Sequence, residues 1–244
     1  CATHDHLPLH EEVTCLCDQV PALGKRQVHV FLIQGGDLLD CSDLAHLKKH
    51  IHALGFSKVW MGQCFHAAKI RKIIREEFYD NPEAHFVLIG NGIGATIARD
   101  LAWELESEKI YFDLLVYLGG VLIDDMHRDH PPNVVKLLHI RGDGWILDGC
   151  DLSNAENVTL PVHHCKVPTH PKTLNLLATE LSHVAASVPV PMPMPRLIPP
   201  QGAREILPPP GETVVPKIPG GAEILPPPKE QKDGWDFIKA RLAE

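Results

Sequence analysis

Gly90, Gly92 and Gly94 alternate through the stretch HFVLIGNGIGATIARDLAWEL (His85–Leu105), where an apolar strand turns into a helix. Glycines spaced in this way serve two different chemistries. In one, backbone without side chains lets a pyrophosphate approach a helix N-terminus, and Gly90, Gly92 and Ala95 fit the pattern G-x-G-x-x-G/A. In the other, G-x-S-x-G, flanking glycines hold a nucleophile on a sharp turn. Gly90 and Gly94 then fit, and the nucleophile position is Gly92. The second chemistry also needs an acid and a histidine further along, in that order. RGDGWILDG offers Asp143 and Asp148, and PVHHCKVPTHP offers His163, His164 and His170. Upstream, the QGGD loop (Gln34–Asp37) is suited to presenting backbone N–H groups to a developing oxyanion.

Elements able to position these residues run from Val28 to Val184, where apolar runs alternate with amphipathic stretches as in βαβ units around a parallel sheet. Strands are expected at Val28–Ile33, Lys58–Met61, Phe86–Ile89, Asp113–Leu118, Val135–Ile140 and Val158–Val162. Their near-continuous apolar character suits strands covered on both faces. Four helices are expected between and after them. Ser42 caps the first, whose stripe is Leu44, Leu47, Ile51 and Leu54, with a stop at Gly55. The second carries Ile70, Ile73, Ile74 and Phe78 and breaks at Asp80–Pro82. The third follows the glycine turn with Ile97, Leu101 and Leu105. The last starts near Thr169 with Pro171 in its first turn and shows Leu174, Leu177, Leu181 and Val184. The link GGVLIDDMHRDHPPN between strands four and five leaves no room for a lid domain, and Asp124–Asp125 beside HRDH reads as a solvated loop.

The two chemistries make different demands on this layout. A dinucleotide site wants its glycine turn after the first strand and a carboxylate at the end of the next. Here the turn follows the third strand, and the following strand ends in Gly119–Gly120. A nucleophile turn wants an oxyanion loop after the first strand, an acid after the fifth and a histidine after the sixth, and the sequence supplies all three. On these residues, Val28 to Val184 resembles a compact α/β-hydrolase of the lipase or esterase kind. The resemblance implies a three-layer αβα sandwich with a mostly parallel six-stranded sheet and no cap domain. It implies that Gly92, Asp143 and His164 stand where nucleophile, acid and base would stand, and that Gln34 or Gly35, with the N–H of Ile93, would form the oxyanion hole. Glycine cannot attack a carbonyl. The expectation is a degenerate hydrolase that binds an acyl-type small molecule or a protein partner. A serine at position 92 would instead make a serine-type ester hydrolase, and the dinucleotide site remains a third reading. No cofactor and no resident metal are expected.

Other residues offer weaker chemistry. Cys64 and His66 in GQCFH could form a thiol–imidazole pair, whereas Ser42 and Ser153 stand in no motif. His4, His6, His10, Glu11, Cys15 and Cys17 are zinc- or copper-binding types, but their spacing matches no zinc site, so residues 1–27 are read as a tether. CATHDH resembles the start of a mature bacterial lipoprotein, with the lipid on Cys1, which would mean export and an anchor. No apolar stretch is long enough for a membrane span. The net charge of −8 excludes an electrostatic grip on nucleic acid. After the α/β domain (28–187) comes a proline-rich extension (188–230) with a two-copy repeat, AREILPPPGE and AEILPPPKE. Its proline content favours extended chain over a packed core. Residues 231–244, with Trp235, Phe237, Ile238 and Leu242, form a short amphipathic helix candidate.

Overall fold

The segment VHVFLIQ is buried at every position, because it forms the strand β1 (Val28–Gln34) in the interior of a sheet covered on both sides. The computed structural model describes residues 11–35, 42–120, 123, 125–143 and 149–189. The remaining strands are β2 (Lys58–Gln63), β3 (His85–Asn91), β4 (Phe112–Leu118), β5 (Val134–Gly142) and β6 (Glu156–Leu160). They form one sheet in the order β2-β1-β3-β4-β5-β6, and each of its five pairings is parallel. The outer strands β2 and β6 lose the continuous burial of β1, β3 and β4.

Side-chain alternation sorts the core into two layers. Val28, Val30 and Leu32 of β1 pack with Leu44, Leu47 and Ile51 of α3 (Leu44–Ala53) and with Leu174, Leu177 and Leu181 of α6 (Pro171–Ser187). Phe31 and Ile33 face the other way. They meet Ile70 and Ile74 of α4 (Ala67–Asp80) and Ala95, Ala98 and Leu101 of α5 (Ile93–Glu106). This is the αβα sandwich expected of an α/β-hydrolase, and in the described link between β4 and β5 the helical content is one turn, His127–Asp129.

Three local expectations are corrected. The cap of α3 is Asp43, whose side chain accepts the His46 N–H, while Ser42 is buried just before it. The last strand begins at Glu156 and ends at Leu160, where the Val162 N–H turns back to the Leu160 carbonyl. The supposed tether is helical from Glu11. α1 (Glu11–Gln19) and α2 (Ala22–Gln27) precede β1, and Cys17 and Val20 join the core beside α6. Cys1, His4, His6, His10, Asp148, the proline-rich extension beyond Pro189 and the terminal helix candidate lie outside the described residues. Among those described, no helix is long and apolar enough to cross a membrane.

Candidate functional site

In this strand order β1 and β3 are neighbours, and the connection from β1 runs to β2 on one side while that from β3 runs to β4 on the other. The crevice at the C-terminal ends of β1 and β3 is therefore the topological switch point, where open α/β sheets bind ligands. Register puts Gln34, Gln63 and Asn91 level with one another at that edge. The residues just beyond them line its mouth.

Gly92 joins β3 to α5 with φ 56° and ψ −123°. Side chains rarely adopt that backbone conformation, and it is strained in any residue but glycine. The turn is tightly tied: the Gly92 N–H donates to Leu118 O (3.0 Å), the Ala95 N–H to Gly92 O (3.0 Å) and the Gly35 N–H to Asn91 O (2.9 Å). Its two flanking glycines are required by contact. A Cβ on Gly94 would collide with the Ile33 carbonyl, and one on Gly90 with Gly94 O and the Ala95 backbone. At Gly92 itself a Cβ would meet nothing within 4 Å. The turn thus keeps strand and helix in close contact on both sides and leaves its centre open.

The expected oxyanion donors divide. Ile93 is the first residue of α5, so its N–H has no acceptor within the helix. The Gly35 N–H is taken by Asn91 O, and the Gln34 side chain, 3% exposed, accepts from Gln63 Nε2 at 3.0 Å. The Gly35 donor is thus spent on β3, while Gln34 is tied to β2 through its side-chain oxygen.

Asp143 directly follows β5, and its N–H donates to Val162 O (3.1 Å). His164 lies two residues beyond Val162, in the turn His164–Lys166. The acid and the histidine thus leave neighbouring loops, two and three strands from the glycine turn, or about 10 and 14 Å across the sheet. His164 Nε2 stands 3.4 Å from Cys165 Sγ, and the rings of His163 and His164 lie 4.1 Å apart. His170 caps α6 by accepting the Lys172 N–H, and burial, then Lys172, lowers its pKa. Cys165 carries no signal in the sequence beyond its place in the triplet HHC, which the structure turns into a cluster of donor atoms.

Two other constellations are structural. The His66 Nδ1 accepts the Gln63 N–H (3.1 Å) and its ring lies against Phe65, so the imidazole proposed to serve Cys64 is held by its own turn. Asp125 is exposed as expected, yet it organises its loop. Its Oδ1 accepts the Ser153 N–H and hydroxyl (both 2.9 Å) and lies 3.2 Å from His130 Nε2. The Ser153 hydrogen bonds, backbone first, hold the Asp125 carboxyl below its ordinary pKa. With the carboxylate between them, His130 is not placed to take the Ser153 proton. Of the N-terminal cluster, Cys17 is buried with its Sγ 3.2 Å from Ser182 Oγ, whereas Cys15 is exposed.

No protein-family model matches the sequence, and no curated protein is similar to it. Among solved structures, a predicted CIB-like hydrolase from Thermoplasma acidophilum is 14% identical, with a TM-score of 0.45 over 64% of this chain and 86% of its own. RedJ, solved with a PEG molecule bound in its active site, is 12% identical, with a TM-score of 0.45 over 66% of this chain and 92% of its own. Neither is close enough to bring a site residue or a substrate to this protein.

Proposed function

We propose that this protein is a hydrolase-like binding protein without a nucleophile, which holds an acyl-type small molecule at the C-terminal edge of β1, β2 and β3. The observation that carries the reading is the glycine turn. Its flanking glycines are dictated by close packing and its centre keeps a strained conformation over open space, yet the side chain such a geometry serves is missing.

Apolar chemistry at the same edge supports an acyl ligand. Phe65, just beyond β2, is 75% exposed, and Ile93, just beyond β3, is 51% exposed. Large side chains left in water beside a switch-point crevice are suited to covering an alkyl chain. A dinucleotide finds less support, since the turn follows β3 and β4 runs out through Leu118, Gly119 and Gly120 without a carboxylate.

Titration of the full chain with a non-hydrolysable medium-chain acyl amide, followed by calorimetry, tests the proposal. Saturable binding weakened at least tenfold by Ile93→Asp or Phe65→Asp is expected. Absence of binding, or binding that neither substitution alters, would overturn it.

A further inference from the structure

His163, His164 and Cys165 follow β6 and place one donor atom each within 4.8 Å of the other two. From this geometry we infer that the turn is a binding site for a zinc-class divalent ion, held by two imidazoles and one thiolate. Zinc–nitrogen and zinc–sulfur bonds of about 2.0–2.1 and 2.3 Å, at tetrahedral angles, place nitrogen and sulfur about 3.5 Å apart. His164 Nε2 and Cys165 Sγ already stand at 3.4 Å. That separation matches one edge of such a tetrahedron.

The third ligand closes the set from the open side. His163 is exposed while its two neighbours are half-buried, and metal binding would require its ring to turn by about an ångström to close the widest separation. The hydrogen bond from the Cys165 N–H to its Nδ1, at 3.5 Å, is long and weak. The backbone beneath is fixed. The Lys166 N–H donates to His163 O (2.8 Å) and the Val167 N–H to His164 O (3.1 Å), and Val167 is fully buried. Consecutive residues therefore point three donors to one side because the chain is wound into a tight turn and anchored at its end.

The donor set selects the ion. Two nitrogens and a sulfur suit zinc or cobalt and are a poor match for magnesium or calcium, which take oxygen ligands. With three protein ligands and an exposed side, the fourth position falls to water. Binding requires the Cys165 thiol to lose its proton to solvent, so uptake releases about one proton per ion. The site uses neither Phe65 nor Ile93, so its test is distinguishable from that of the acyl reading, although it shares His164 with the expected base position.

Cobalt(II) titration of the full, reduced chain tests the inference, with the thiolate-to-cobalt charge-transfer band as readout. One equivalent giving that band is expected, with the band lost in Cys165→Ser and retained in Cys15→Ser. His163→Ala and His164→Ala are each expected to weaken binding at least tenfold. In the unaltered chain, zinc should protect Cys165 from alkylation and leave Cys150 reactive, which covers the case of a variant that fails to fold. A band that survives Cys165→Ser, affinity unchanged by both histidine substitutions, or zinc that leaves Cys165 fully reactive would overturn the site.

Discussion

Three glycines within five residues carry the residue-scale account, and they are not equivalent. Gly90 and Gly94 are demanded by neighbouring backbone, whereas Gly92 is demanded only by its own φ of 56°. Gly92→Ala should therefore cost about 1–3 kcal/mol of backbone strain. Gly94→Ala, which drives a methyl into the Ile33 carbonyl, should cost more than about 3 kcal/mol. Urea denaturation of both variants checks the order, and a milder Gly94→Ala would contradict the close packing of strand and helix. The turn was legible in the sequence because glycine spacing records backbone geometry directly. So was the position of Asp143 and His164 after successive strands. The HHC cluster was not, because a cysteine reads as a small buried hydrophobe until the winding of its turn is known. The cap of α3 was misread by one residue for a similar reason: Ser42 and Asp43 are both good capping types, and only the backbone path chooses between them.

Elements are held in place by contacts that hydrophobic patterning does not reveal. Asp129, 2% exposed, pairs with Arg99 of α5, its carbonyl accepts from the Tyr117 hydroxyl, and the adjacent Arg128 carbonyl accepts from Trp103. A stretch that reads as a polar loop is thus pinned across α5 and β4. Removing Asp129 takes one of two carboxylates from the buried Arg99, whose guanidinium still holds Asp100, so Asp129→Ala should destabilise the protein by about 1.5–3 kcal/mol. Thermal and chemical unfolding would show it, and a loss within experimental error would mean that the pair is idle. The strands were readable because long apolar runs in βαβ order admit few alternatives. The helices α1 and α2 were not. Their sequences, EEVTCLCDQ and ALGKRQ, are short and mostly polar, and they are fixed by a few contacts to α6 such as Cys17 with Ser182. Helices of that length owe their stability to tertiary packing.

The whole molecule carries a buried titratable group far from the glycine turn. His29, fully buried at the start of β1, stands 2.8 Å from Lys58 Nζ, and burial first, then Lys58, pushes its pKa down to about 4. Native His29 is thus neutral where an unfolded histidine takes up a proton near pH 6.5. Its contribution to stability is complete above about pH 6.5 and is lost as pH falls to about 4, by about 3 kcal/mol. His85 acts in the opposite sense. Its hydrogen bond with Asp113 raises its pKa, so its contribution holds below the unfolded value and fades as pH rises through the native one. Comparing unfolding of the parent and His29→Gln between pH 7 and 4 isolates the first effect, and parallel curves would contradict it. At this scale the sandwich and its parallel six-stranded sheet followed from the sequence, while the strand order and a neutral imidazole inside the sheet could only be found in the folded structure. The central claim, that position 92 is a vacated nucleophile site, is tested most directly by short-chain ester hydrolysis with the parent, Gly92→Ser and Gly92→Ser/His164→Ala. Folded Gly92→Ser should exceed the parent by about a hundredfold or more, with the gain abolished by His164→Ala. A folded Gly92→Ser no faster than the parent would contradict the claim.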